Sequence, residues 1–265
     1  VPQSDRMLLI ELANSVNELA GAIKELRDSQ SEIMGRLDSL EQQLKQNRAA
    51  AKGQTRTGYA QFEDLLALYR DIDPGQSLPR MRNWAAGPEL LRFLYEEIME
   101  RRRTGVLECG SGTTTVVMAY AMRSLGSGKV TALEHNPHYA ALTRHELSER
   151  GLTEWAEVAD AELSDVVIDG QAWRWYDVEA IPSGEIDMLL VDGPPGDTGP
   201  QARYPALPLL ADRLSESALV VLDDANRADE RAIVQRWTEQ FPQFESQRLR
   251  HERGTVALRR ADNGA

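Results

Sequence analysis

The sequence predicts an α/β domain on a parallel, doubly wound sheet, preceded by a long N-terminal helix. Three observations predict it. From residue 105 onward, short apolar runs alternate with helical stretches, the order that gives a parallel sheet covered on both faces. Residues 7–48 place apolar side chains in alternating steps of three and four with no proline, the pattern of a helix that pairs with another helix. The 265 residues suffice for one such domain and an appendage, and 42% hydrophobic content fills a core.

Residues 1–48 are read as a coiled-coil oligomerisation helix. One seam position is taken by Leu9, Val16, Ile23, Gln30, Leu37 and Leu44, the other by Leu12, Leu19, Leu26, Ile33, Leu40 and Asn47. So narrow a stripe suits a second copy of itself better than a globular core. β-Branched residues opposite leucines favour a parallel dimer, with a trimer as the alternative, and Gln30 gives up stability for register. A helix folded back on its own domain is the competing reading. No basic region precedes the seam, so a DNA-gripping fork is not expected.

Residues 49–104 are read as a linker and helical lead-in. "AAAKGQTRTG" (49–58) loses the repeat. "YAQFEDLLALYRDI" follows as a helix with Phe62, Leu65, Leu66 and Tyr69 on one side, and "DPGQSLP" breaks it. Pro88 opens a helix ending near Arg103, where "MERRRTG" sets cations against the helix dipole. Residues 105–265 form the domain proper. Its expected strands are 105–109, 129–134, 156–159, 186–191 and 218–223, with helices at 113–125, 137–151 and 200–214. "ESQRLRHERGTVALRR" closes the chain as strand, turn at Gly254 and returning strand.

A formal net charge of −12 and a pI near 4.9 exclude a broad phosphate-gripping face, so no nucleic acid partner is expected. The single cysteine, Cys109, excludes an internal disulfide and a cysteine-based zinc cluster. No apolar run reaches the roughly 20 residues of a membrane span, and no signal-peptide pattern is visible. The expectation is a cytoplasmic protein.

The chemistry concentrates in "VLECGSGTTT" (106–115). A strand runs into Glu108, then into a turn whose Gly110 and Gly112 admit a ligand against bare backbone. Ser111 and Thr113 cap the next helix and present its N–H groups. The third glycine of a dinucleotide fingerprint is missing, with Thr115 in its place. E-x-G-x-G with a leading acid suits a ligand carrying positive charge, such as a sulfonium with an ammonium group. The second strand ends at Glu134, 24 residues after Gly110, near the spacing of about 20 for an acid that takes a ribose hydroxyl. Asp160, at the end of the third strand, is placed to reach an adenine amino group.

The four segments "VLECGSGTTT", "TALEHNP", "MLLVDGPPG" and "LVVLDDANR", in that order, resemble class I S-adenosylmethionine-dependent methyltransferases, and the glycine-proline loop after Asp192 resembles a bacterial branch placed with small-molecule and sugar O-methyltransferases. The resemblance covers residues 105 to about 260. It implies a Rossmann-like seven-stranded methyltransferase sheet with an antiparallel last strand. It also implies S-adenosylmethionine held by Glu108, Gly110, Ser111, Gly112 and Thr113 at its methionine part, by Glu134 with His135 beside it at the ribose, and by Asp160 and Ala161 at the adenine. Asp192 would lie near the transferred methyl.

An acceptor hydroxyl must lose its proton to a base or a metal. Asp192, Asp223 and Asp224 are hard oxygen ligands at adjoining strand ends, which makes magnesium a candidate ion and Asp192 and Asp224 candidate catalytic residues. The same arrangement resembles the metal site of catechol-type and macrolide-sugar O-methyltransferases. Adjacent strand residues point to opposite faces, so both Asp223 and Asp224 serve only if the strand has ended. Arg203, Tyr204 and Tyr176 are candidate acceptor contacts, and Trp84 is a candidate wall over the cofactor. The four histidines, 135, 138, 145 and 251, show no metal spacing. The expected activity is O-methylation of a small molecule or glycan. A metal-free protein or N-methyltransferase and a retired scaffold are the alternatives.

Overall fold

The computed structural model describes residues 3–81 and 85–260. The chain forms two compact units, Val1–Gly58 and Tyr59–Ala265.

The first unit is helical and belongs to α1 (Gln3–Ile72). Residues 49–58, expected as a linker, are helical as well. They contain no proline, and Gly53 and Gly58 cost only about 1 kcal/mol each against alanine. The seam residues Leu9, Leu12, Val16, Leu19, Ile23, Leu26, Ile33, Leu37, Leu40 and Leu44 are 51–71% exposed in the single chain.

The second unit begins with the last turns of α1, where Leu68 and Ile72 are buried. The expected face of this segment holds in part: Leu65 and Tyr69 are half-buried, with Tyr69 packed on the core, whereas Phe62 and Leu66 are exposed and the fully buried positions are Leu68 and Ile72. There follow α2 (Pro88–Arg101), β1 (Gly105–Cys109), α3 (Thr113–Leu125), β2 (Lys129–Glu134), α4 (Pro137–Glu149) and β3 (Ala156–Asp160). Next come β4 (Leu163–Ile168), β5 (Gln171–Tyr176), β6 (Ile186–Val191), α5 (Ala206–Leu210), β7 (Leu214–Leu222), α6 (Ala228–Gln240), β8 (Phe244–Leu249) and β9 (Thr255–Arg260). Among these described residues no helix is long and apolar enough to cross a membrane.

Seven strands form one sheet in the order β3-β2-β1-β6-β7-β9-β8, parallel from β3 through β7, with β9 antiparallel to both β7 and β8. Period-2 alternation sends Val106, Val130, Met188, Leu190 and Val221 to one core and Leu107, Leu133, Leu189, Val191 and Val220 to the other. Burial on both faces is what a parallel sheet needs. Arg103, just past α2, is buried and donates to the carbonyls of Asp187 (2.6 Å) and Ser217 (3.0 Å) while pairing with Glu97.

Two expectations change. The helix expected over 200–214 shrinks to α5, because prolines 200, 205 and 208 remove N–H donors, and the fifth expected strand starts at Leu214 instead of 218. Residues 163–176 form an antiparallel hairpin, β4–β5, turning on Asp169 (φ 51°) and Gly170 (φ 78°). Asp-Gly with two positive φ angles is the hairpin turn that matches strand twist.

Candidate functional site

The sheet reverses its winding between β1 and β6. From β1 the chain moves outward to β2 and β3, then returns to pair β6 on the other side of β1. Loops leaving β1 and β6 diverge there, and the crevice beyond the strand ends is where open α/β sheets bind ligands. Every acid singled out in the sequence lies at one of these ends.

Glu108 is fully buried and accepts the hydroxyls of Thr114 and Thr115, the latter at 2.6 Å, so it ties β1 to the first turn of α3. Burial, with the charge of Glu134 adding, pushes its carboxyl up to about 7 against the opposing hydroxyl bonds. The turn between them needs Gly110: its φ of 103° is in the left-handed half of the map. The Gly110 N–H donates to Leu133 O (2.9 Å), fixing the turn beside β2. Gly112 precedes α3, and its N–H donates to Thr115 Oγ1 (2.9 Å). Thr113 is buried at the first position of the helix.

Glu134 is buried at the end of β2. One carboxylate oxygen accepts Ser111 Oγ (3.0 Å) and the other accepts the Asn136 N–H (2.9 Å), with His135 Nδ1 3.3 Å away. Glu134 therefore faces the Ser111 turn, as an acid shared between cofactor and loop would. Asp160 stands in register with Glu134 on the next strand, but its side chain is exposed and paired with Arg144 at 2.8 Å. Ala161 is buried and donates its N–H to Glu134 O (2.9 Å). Trp84 lies outside the described residues.

Beyond β6 and β7 the structure assembles Asp192, Asp223 and Asp224, each offering a carboxylate oxygen within 4.8 Å of the others. β7 ends at Leu222, and Asp224 takes φ 57°, so the strand geometry that would separate the pair has ended. What lies among them is Arg203. Its guanidinium, 4% exposed as a residue, sends Nη2 to Asp192 O (2.9 Å), Asp192 Oδ1 (3.2 Å) and Asp224 Oδ2 (3.0 Å), and Nη1 to Asp223 O (3.0 Å). Glu230 Oε1 is 3.8 Å from Nε, and Arg227 adds a second cation 3.0 Å from Asp224. Burial and mutual repulsion hold Asp192 well above the usual carboxylate range, against the pull of Arg203, and Asp223 is raised chiefly by burial.

The donor chemistry of the trio suits magnesium, but the arrangement does not. A single guanidinium nitrogen already bridges Asp192 and Asp224, and a cation there would have to expel a buried arginine. No step is therefore routed through a metal.

The acceptor residues expected from sequence are not at the surface. Arg203 is consumed by the acids. Tyr204 is fully buried, donates to Gln240 Oε1 (2.7 Å), packs on Trp173 with ring centroids 4.6 Å apart, and carries the Arg236 guanidinium 3.8 Å from its ring. Tyr176 is also buried, edge-on to His135 at 6.2 Å, and its hydroxyl abuts Gly193, leaving no room for a side chain there. These three organise the site from behind. The opening that does exist beside it is a cleft lined by Met81, Pro88, Glu89, Asp223, His251 and Glu252. The sequence reading set His251 aside for lack of metal spacing.

Residues 107–225 match a family model described as a methyltransferase domain. The second unit has the Rossmann-like, seven-stranded methyltransferase fold. Solved structures share its fold. An SAH-bound methyltransferase from Podospora anserina aligns at 13% identity over 75% of this chain and 88% of its own, with a TM-score of 0.53. An O-methyltransferase from Bacillus cereus in complex with SAH aligns at 15% identity over 75% and 91%, TM-score 0.50, and cofactor-bound Rv0187 from MTB at 19% over 76% and 91%, TM-score 0.50. No curated protein matches the sequence. The second unit thus places its glycine turn, the buried Glu134 and its buried acid cluster along one sheet edge.

Proposed function

We propose that the protein transfers a methyl group from S-adenosylmethionine to a hydroxyl of a small molecule or sugar. The observation that carries this reading is the run of acids on adjoining strand ends, Glu108, Glu134 and Asp192, around the Gly110 turn. Around Arg203 the carboxylates of Asp192, Asp223, Asp224 and Glu230 outnumber the guanidiniums of Arg203 and Arg227. Such an excess of buried carboxyls over guanidiniums suits a donor that brings a sulfonium and an ammonium group, whose positive charge favours their ionised form. The SAH carried by the Podospora and Bacillus structures fits the same assignment on this fold.

When bound, S-adenosylmethionine supplies a methyl group already activated for in-line displacement, so the protein's task is largely positioning. Glu134 holds ribose hydroxyls with a carboxylate oriented by Ser111 and the Asn136 N–H. Asp160 and Ala161 flank the adenine. Glu108 fixes the glycine turn through Thr114 and Thr115 and supplies a negative charge. Arg203 fixes Asp192 at the methionine end.

The heptad seam supports a further reading of the first unit as a parallel coiled coil between copies, since ten regularly spaced apolar side chains stand more than half exposed.

The test is transfer of labelled methyl from S-adenosylmethionine to a panel of phenols, catechols and glycosides, with and without EDTA. The expected result is labelled ether, insensitive to EDTA. Label on nitrogen, or on no panel member, contradicts the hydroxyl assignment, and loss of activity in EDTA contradicts the metal-free one.

A further inference from the structure

We propose that His251, in the cleft beside Asp223, is the base that takes the acceptor's hydroxyl proton. The inference rests on the methyl-transfer reading and adds to it the group that performs the proton step. Two independent observations carry it.

The first is the cleft. It is bounded by the start of α2, by Gln61 of α1 and by the turn between β8 and β9, and it reaches Asp223. The Asp223 N–H donates to Val191 O (3.2 Å), the last residue of β6 before Asp192. The cleft therefore abuts the strand end assigned to the methyl donor. Its wall is tied: Gln61 Nε2 donates to Glu252 Oε2 (2.5 Å), and the Glu252 N–H donates to Glu89 Oε1 (3.2 Å).

The second is a relay of side chains. Thr255 is fully buried; its Oγ1 donates to Asp223 Oδ1 at 3.2 Å and lies 2.9 Å from His251 Nδ1. Thr255 Oγ1 is the donor to Asp223, so its single hydroxyl proton is committed there. The hydroxyl must then accept from the imidazole, which puts the proton on Nδ1 and leaves the lone pair on Nε2. Nε2 has no hydrogen-bond partner among the described residues. This is a base oriented by a second group that is itself oriented by a third.

The surroundings keep the ring poised to accept. Phe93 of α2 meets it edge-on at 6.1 Å. Burial lowers the imidazole pKa, while Glu89 of α2 and Asp64 of α1 pull it back up. Asp64 is itself paired with Arg92, Glu252 and Arg253 adjoin on the turn, and Asp223 acts through Thr255. A ring that is neutral near pH 7 is the form a general base needs.

In the step, the acceptor O–H bond breaks and its proton goes to His251 Nε2. The oxygen bonds to the methyl carbon, whose bond to sulfur breaks with the electron pair remaining on sulfur. The imidazolium then returns its proton to water.

The test uses the full chain with SAH. Histidine side-chain NMR should show His251 as the Nδ1–H tautomer, titrating below the ordinary value of about 6.5. Thr255→Val, which keeps the imidazole, should abolish the tautomer preference. With any methylated member of the panel, His251→Gln should lower kcat by about 10²–10⁴ and remove the acid limb of its pH profile. SAH affinity by calorimetry should stay within about twofold. An Nε2–H tautomer, a tautomer indifferent to Thr255→Val, or wild-type kcat in His251→Gln overturns this inference alone. Failure of SAH to bind the wild type overturns the methyl-transfer reading and this one with it.

Discussion

Glu108 joins two charge effects in one side chain. Its carboxyl is pushed up to about 7, so the folded state holds the proton more tightly than the unfolded chain does. The stabilisation is fully present below the ordinary carboxylate pKa of about 4.3 and is lost as pH rises through about 7. Asp192 and Asp223 are raised too and add in the same direction. Thermal unfolding of the unliganded protein should show Tm falling from pH 5 to pH 8, and falling less in Glu108→Gln. The sulfonium of S-adenosylmethionine should prefer the ionised site, so its affinity should rise relative to neutral-sulfur SAH over the same interval. Arg203 makes the opposite demonstration. Arg203→Met leaves buried carboxylates facing one another and should cost about 3–5 kcal/mol in denaturant unfolding. The loss should grow as pH rises, because Arg203 offsets the charge of the carboxylates as they ionise. Arg203→Lys should recover only part of it, because one ammonium cannot serve the Asp192 and Asp224 carboxylates and the Asp223 carbonyl together. Glu108 and Glu134 were legible in sequence because each ends a strand within a local motif. The role of Arg203 was not, because its partners at 192, 224 and 230 meet it only after folding, and the same holds for His251 and Asp223.

The elements repeat this division between local and distant signals. β1, β2 and β6 fall on the expected segments, since a buried parallel strand is a short apolar run that turn residues bound. The β4–β5 hairpin was missed although its signal was present: Asp169-Gly170 between runs rich in Val, Ile and Trp. Tyr176, expected as an acceptor contact, is instead buried at the end of β5, whose Trp173 and Trp175 share one inward face. The "MERRRTG" cations, expected to oppose the dipole at a helix end, divide: Arg101 and Arg102 are exposed at the end of α2, and Arg103 is buried. Arg103→Ala should strip Glu97 of one of its two arginines and leave the Asp187 and Ser217 carbonyls without this donor, at a cost of about 2–4 kcal/mol. Urea unfolding measures it. Gly193→Ala should perturb Tyr176 and the loop after β6, because the added methyl meets the tyrosine hydroxyl; weakened SAH binding is the expected readout.

At the scale of the whole molecule, the sequence carries two architectures with different periods. The 3.5-residue apolar repeat of the first unit stands exposed along its described length, Leu19 and Leu26 included. Sedimentation velocity should find oligomers in the wild type and single chains in a Leu19→Asp, Leu26→Asp variant, with cofactor binding unchanged; monomeric wild type contradicts the coiled-coil reading. The sheet of the second unit followed from alternation alone, whereas the cleft proposed for the acceptor did not, because the β8–β9 turn meets α1 and α2 there from more than 160 residues away in the chain.

The central claim is that Glu134 and the Gly110 turn hold S-adenosylmethionine. Calorimetric titration of wild type and Glu134→Ala with S-adenosylmethionine tests it most directly. The account predicts micromolar binding to the wild type and at least tenfold weaker binding to the variant, whose fold should persist by circular dichroism. Equal affinity in the two proteins, or no binding to the wild type, would contradict it.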